Sequence, residues 1–202
     1  ALGSQAKVRL PSILDDGMII QRERPIEIWG WADASESFTI SWQKTKYQVK
    51  AGNDGRWQIT LPQCPAGGPY TMTIGDVTLK DILIGDVFLC TGQSNMELPI
   101  RRVTDMFAKE VAAYENDKIR QYIVPDTFSF IAPQEDTPKS YWKGCTQENV
   151  MEFSALAYFY AKEIYSKTGV PVGIVNCCWG GTPVEAWTSE EALKDFPRHI
   201  NE

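Results

Sequence analysis

The chain changes rhythm near residue 80. Up to that point its apolar and aromatic residues come in short runs: Ile26–Trp29, Phe38–Trp42, Tyr47–Val49, Trp57–Leu61 and Tyr70–Ile74. Between the runs stand turn signals, Asp15-Asp16-Gly17, Gly52-Asn53-Asp54-Gly55 and Pro65-Ala66-Gly67-Gly68-Pro69. Short β-branched and aromatic segments so punctuated predict a small β-sandwich over residues 1–80. Asp54-Gly55 offers the positive φ of a tight reversal, so the runs ending at Val49 and starting at Trp57 are expected to pair as a hairpin.

Over residues 81–202 strand and helix patterns alternate. Val87–Cys90 reads as a strand running into Thr91-Gly92-Gln93-Ser94-Asn95. Met106–Tyr114 has helical spacing, with Met106, Phe107, Val111 and Tyr114 near one face, and Ile119–Val124 is a strand closed by Pro125. Pro125–Pro138 is a polar, proline-marked loop. Ser154 is placed to cap a helix that runs to about Lys167, ended by Gly169 and Pro171. Val172–Asn176 then leads into Trp179-Gly180-Gly181-Thr182. Such alternation predicts a parallel sheet flanked by helices, an α/β fold whose ligands bind at the carboxyl ends of the strands. Both glycine-containing turns fall at such ends.

Composition removes several classes of function. Charge is balanced through residue 85, so the formal net charge of −6 falls entirely in the remainder. An acidic chain whose one basic doublet is Arg101-Arg102 lacks the basic stripe of a nucleic-acid binder. No apolar stretch nears the roughly 18–20 residues that span a membrane; the longest is Ala155–Ala161. Five cysteines without C-x-x-C spacing argue against a disulfide framework or a zinc ribbon. A single histidine, His199, excludes a multi-histidine metal site.

Two turns are able to carry chemistry. A serine at a tight strand-to-helix turn is presented above the sheet, its N–H in the same space, so Ser94 reads equally as a nucleophile or as a helix cap. A glycine pair after a buried strand can aim a bare N–H at a substrate, although Gly180-Gly181 reads as readily as a plain turn. Asn95 and Glu97 stand beside Ser94 and are candidates to line a site, with Glu97 equally suited to the first turn of a helix. Cys177-Cys178 reads as one core and one pocket-wall residue, and Cys90 as a small core residue. Trp29, Trp31, Trp42 and Trp57 invite a carbohydrate-binding reading, but alternating core positions explain most of them.

Gly92-Gln93-Ser94-Asn95-Met96-Glu97, preceded by Ile84–Cys90, resembles the nucleophile block of the sialate O-acetylesterase family, in the SGNH/GDSL hydrolase clan. Pro171–Thr188 resembles that family's second block, and Leu10–Gln21 and Ala66–Tyr70 resemble its N-terminal β-module. The resemblance implies a flavodoxin-like α/β/α esterase domain behind the sandwich. It makes Ser94 the nucleophile and the N–H groups of Ser94 and Gly181 the oxyanion hole. Gln93, Asn95, Glu97, Gly180 and Thr182 would line the site. The implied substrate is sialic acid or a related O-acetylated sugar, without metal or organic cofactor, in a periplasmic, secreted or lysosomal-type compartment.

Two further blocks of that family have no counterpart here. There is no Gln-Gly-Glu, and Asp195-Phe196-Pro197-Arg198-His199 sets Asp and His four apart where the family has Asp-x-x-His. His199 is therefore not expected to be the base. The expectation is the N-terminal portion of a longer esterase, its hydrolase domain partial and its activity alone weak or absent. A sheet so divided would expose an edge and favour self-association or a partner chain that completes it. The alternative is a non-catalytic glycan-binding or interaction module with a vestigial esterase half.

Overall fold

In the computed structural model, residues 7–112, 115–129, 131–196 and 198 are described. Alternation of apolar and polar side chains shapes the first strands. Strand β1 (Ile19–Gln21) precedes β2 (Ile26–Trp31), which buries Ile26, Ile28 and Gly30 and turns Glu27 and Trp29 outward. Strand β3 (Ser37–Trp42) buries Phe38, Ile40 and Trp42 in the same way. Strands β4 (Thr45–Lys50), β5 (Arg56–Leu61) and β6 (Gly67–Ile74) complete the set read from the sequence. An antiparallel β2–β5 ribbon and the β4-β3-β6 edge of a larger sheet share one hydrophobic cluster. Trp57 of the ribbon meets Phe38 of the larger sheet edge-on, at 5.1 Å between ring centroids.

The turn at Asn53-Asp54-Gly55 corrects an expectation. Gly55 does take φ +79°, and its N–H donates to the Gly52 carbonyl at 3.0 Å. Yet β4 pairs with β3 and β5 pairs with β2, so the turn carries the chain between sheets. Turn chemistry specifies a reversal; the partner is chosen by burial, and Val49 and Trp57 enter the shared cluster from different sheets.

Strand β7 (Val77–Gly92) runs without a break through the change of rhythm near residue 80. Its first part pairs antiparallel with β6, and Leu83–Gly85 pair with β1. Its last seven residues pair in parallel with β10 (Val172–Cys178). Strand β8 (Asn116–Ile123) lies parallel on the far side of β10, with β9 (Trp142–Cys145) antiparallel at the edge. The four residues of β9, Trp-Lys-Gly-Cys, were not foreseen, because they carry no period long enough to read. On the other edge of β7, Gln21 Oε1 accepts from the Val87 N–H at 2.9 Å and Leu89 stands 68% exposed.

Helix α1 (Ser94–Glu97) follows β7, and α2 (Thr104–Ala112) is interrupted at Phe107, φ −128°. That break takes α2 out of a single period, so Val111 is buried while Met106, expected on the same face, is exposed. Tyr114 lies outside the described residues. Helix α3 (Ala155–Thr168) begins and ends where its caps predict. Ser154 Oγ accepts from the Ala157 N–H at 3.3 Å, and Gly169 at φ +66° donates to the Tyr165 carbonyl. Its Tyr158 and Ala161 pack with Ile119, Val172 and Ile174 in a second cluster. A short α4 (Glu190–Leu193) follows. The result is a mixed α/β fold with one large sheet and few helices, in which the carboxyl ends of β7, β8 and β10 lie side by side.

Candidate active site at the carboxyl ends of the parallel strands

The register of β7 against β10 sets Cys90 beside Asn176 and Gly92 beside Cys178, so both glycine turns leave the sheet together. The Trp179 N–H donates to the Gly92 carbonyl at 3.0 Å and ties one turn to the other. Gly92 sits at φ +140°, a region that disfavours any side chain. The chain then enters α1 with Gln93 as N-cap and Ser94 as first helical residue. Ser94 is exposed and is not the cap, which removes that reading of it.

Gly180 brings the second turn against the first. A Cβ at position 180 would lie 3.7 Å from Ser94 Cα and 2.6 Å from Glu97 Oε2. Gly181 takes φ +79° with nothing within 4 Å of where its Cβ would be, so it is open to solvent. Among the described residues the N–H groups of Ser94 and Gly181 donate to no partner. Gln93 and Asn95 are exposed beside Ser94, and Glu97 lies back along Gly180. Thr182 instead secures its own loop: its Oγ1 donates to the Trp179 carbonyl at 2.7 Å and accepts from Trp187 Nε1 at 2.8 Å. His199 lies outside the described residues.

Several residues at this end of the sheet went unread in the sequence. A cavity of about 220 Å³ is lined by Glu97, Arg101, Asp126, Glu152, Asn176 and Cys178. A second of the same size adjoins it through Asp126 and Cys178 and extends to Trp179 and Trp187. The signal for Asn176 was there to find, a lone carboxamide on the otherwise apolar strand Val172–Cys178. Burial, with Glu97 close by, raises the Asp126 carboxyl above its ordinary value. Cys178 is buried, its Sγ 3.2 Å from the Cys90 carbonyl, and burial pushes its thiol up to about 12. Cys177 is half-buried and raised as well, by burial and then by Asp126. Cys178 is thus buried yet reaches both cavities, Cys177 lines the second alone, and both thiols are protonated at neutral pH.

A larger groove of about 550 Å³ lies on the outer face of the β2–β5 ribbon, away from Ser94, along Trp29, Trp31, Arg56 and Gln58. Trp42 and Trp57 are core residues as expected, whereas Trp29 is 39% exposed. Trp31 is half-exposed beneath the Arg9 guanidinium, 3.6 Å from its ring centroid.

Residues 84–201 match the family described as SASA, carbohydrate esterase, sialic acid-specific acetylesterase. Sialate O-acetylesterase of Rattus norvegicus is 29% identical over 213 residues, covering 95% of this chain and 39% of that protein. Its Homo sapiens counterpart is 28% identical, covering 92% of this chain and 40% of that one. A crystal structure of a carbohydrate acetylesterase from Xanthomonas citri superposes with a TM-score of 0.88 at 39% identity, over 93% of this chain and 43% of that chain. The chain spans about two-fifths of the length of the curated relatives it matches.

Proposed function

The chain belongs to the sialic acid-specific acetylesterase family of carbohydrate esterases, and from that premise we propose that Ser94 is the nucleophile of a carbohydrate O-acetylesterase. Ser94 Oγ attacks the acetyl carbonyl of an O-acetylated sugar, sialic acid or a related one. The N–H groups of Ser94 and Gly181 take the negative charge that develops on the carbonyl oxygen. Collapse breaks the bond to the sugar oxygen, which takes up the proton that Ser94 gives up and leaves as the free hydroxyl; water then cleaves the acetyl-serine to acetate and a proton and restores the Ser94 hydroxyl. Each oxyanion donor is typically worth about 3–4 kcal/mol of transition-state stabilisation. The observation that carries this reading is the approach of Gly180 to Ser94, with the N–H groups of Ser94 and Gly181 donating to no partner among the described residues.

The two hydrophobic clusters support a finer architecture, a sandwich module over residues 1–80 and the first part of a flavodoxin-like α/β/α domain over 81–202. The apolar side chain of Leu89, 68% exposed on β7, supports self-association, or a partner chain that completes the sheet. The sequence holds one histidine, His199, so these 202 residues alone are expected to hydrolyse p-nitrophenyl acetate weakly or not at all. The groove along Trp29 and Trp31 favours a second reading, a glycan-binding module without catalysis.

A fluorophosphonate separates the two. Labelling confined to Ser94 and lost in Ser94→Ala supports the nucleophile. An unreactive Ser94 together with glycan binding at the tryptophan groove favours the module. Rapid hydrolysis of p-nitrophenyl acetate that survives Ser94→Ala would overturn the esterase assignment to this serine.

A further inference from the structure

We propose that the groove on the outer face of the β2–β5 ribbon is a separate binding site for a flat, neutral, β-linked sugar chain, one ring of which stacks on Trp29. The binding needs nothing from Ser94. It rests on the esterase reading only for its use, which is to hold a chain whose acetylated unit is to be cleaved.

The register of the ribbon builds the floor. Trp29 pairs with Gln58 and Trp31 with Arg56, which puts these four side chains on one face. Residues two apart on a strand are separated by about 7 Å, so the two indoles follow one another along the groove. Trp31 is covered on one side by the Arg9 guanidinium, 3.6 Å from its ring centroid. Trp29 is 39% exposed and is the open ring. An indole offers a large rigid surface on two side-chain torsions, so stacking on it orders little.

The rim is polar and already held. Arg56 is ion-paired with Glu135 and lies 3.9 Å from Asp54, and Gln58 Nε2 donates to Glu27 Oε2 at 3.0 Å. These groups between them donate and accept, as sugar hydroxyls do, and their placement before a ligand arrives lowers the cost of binding. Two guanidinium groups, Arg9 and Arg56, stand against the carboxylates of Asp54 and Glu135, so the charges about the floor balance and favour a neutral ligand. A pyranose with equatorial hydroxyls has apolar C–H faces and a polar edge, the complement of an indole floor with such a rim. A proline-rich peptide would use the floor and leave much of the rim unmatched.

One loop joins this groove to the candidate site. Asp126 lines both cavities there, and Glu135, nine residues on, lines the groove. Asp136 pins the loop by accepting from the Ser12 N–H at 3.0 Å. Nine residues span at most about 32 Å, so a chain seated in the groove is held within about that distance of the cavity wall at Asp126. Such tethering raises the local concentration of an ester carried on the same chain.

The test is isothermal titration calorimetry on the whole 202-residue chain. The probes are cellohexaose, which is flat and β-linked, isomaltohexaose, an α-1,6-linked chain of the same sugar, and a proline decapeptide. Cellohexaose is expected to bind at least tenfold more tightly than either of the others. Trp29→Ala should weaken it about tenfold, and Arg56→Ala, at an exposed position where folding is not at risk, about fivefold. Absence of cellohexaose binding at millimolar concentration overturns the proposal. So do equal binding of the two hexasaccharides, tighter binding of the peptide, and an affinity that neither variant moves. A dimer in sedimentation that Trp29→Ala dissolves would give the face to a second copy and overturn it as well. Fluorophosphonate labelling reads the other question. A labelled Ser94 without cellohexaose binding sinks the groove and leaves the nucleophile. Selective cellohexaose binding with an unlabelled Ser94 upholds the groove and removes the nucleophile.

Discussion

Gly180 lies against Ser94, with 3.7 Å between Ser94 Cα and the place a Cβ at position 180 would take. Two turns more than 80 residues apart in sequence are held at this distance by one parallel strand pair and by the Trp179–Gly92 hydrogen bond. The site is therefore a product of sheet register. Shifting β10 by one residue would reverse every side chain on it and move Gly180 away from Ser94.

The two glycines of this turn should respond differently to alanine. At position 180 the new methyl meets mainly the flexible end of Glu97, so Gly180→Ala should change stability by less than about 0.5 kcal/mol. At 181 there is room, but φ +79° is a region that an L side chain enters at about 1–2 kcal/mol. Urea denaturation should give that order, and Gly181→Ala should also slow fluorophosphonate labelling of Ser94. Equal stability of the two variants would contradict the backbone argument.

Gly85 is expected to be far less tolerant. It sits where β1, β7 and β10 converge, and a Cβ there would overlap the Pro171 carbonyl, which already accepts from the Asp86 N–H at 2.9 Å. Both sides of that contact are backbone, so neither can yield cheaply. Gly85→Ala should cost about 3 kcal/mol or prevent folding. Gly169→Ala is the control: with no atom within 4 Å and φ +66°, it should cost only about 1–2 kcal/mol. Denaturation midpoints that fail to separate the two variants would overturn this account.

Arg120 joins the two halves of the chain. Its side chain is 6% exposed and donates to the carbonyls of Gly17, Asp81 and Asp117 at 2.7–2.8 Å, and to the Asp81 carboxylate at 3.0 Å. Arg120→Ala should cost about 3–5 kcal/mol, because it leaves those acceptors unpaired. Arg120→Lys should not restore stability, since one ammonium cannot reproduce the planar fork of donors. Asp81→Asn should be mild, because that carboxylate is 57% exposed and the three carbonyls remain. Near-wild-type melting of Arg120→Lys would show that charge alone suffices.

How much of this was legible in the sequence depended on the range of the signal. The β-strand runs and the caps of α3 are local, so Phe38–Trp42 and the Ser154 and Gly169 caps were readable from neighbouring residues. The partner of β4 was not, since a tight turn at Gly55 looks the same whether it closes a hairpin or crosses between sheets. Ser94 and Gly181 were readable as candidates from their turns. Asp126 was not, because what distinguishes it is a cavity formed only when β8 and β10 pair, whereas Asn176 did carry a signal, as the lone carboxamide of an apolar strand. Arg120 is a further case: a charged residue inside a strand pattern reads as an edge, and only the fold supplies its carbonyl partners.

The cysteines give a prediction tied to pH. Burial pushes Cys178 up to about 12 and Cys145 up to about 11, from an ordinary value of 9.0. Thiolate is the reactive form, so iodoacetamide at pH 8 should leave both unmodified in the native chain for hours, and urea should expose all five thiols to labelling. A raised thiol pKa also has a consequence for folding. The folded state holds these protons where the unfolded chain releases them, so their contribution is fully present below about pH 9 and is lost as pH rises through 11 to 12. Melting temperature should accordingly fall across that window, and replacing Cys178 by alanine should flatten part of the fall. Rapid native-state labelling of Cys178 at pH 8 would mean a thiolate in the cavity wall and would reverse this reading.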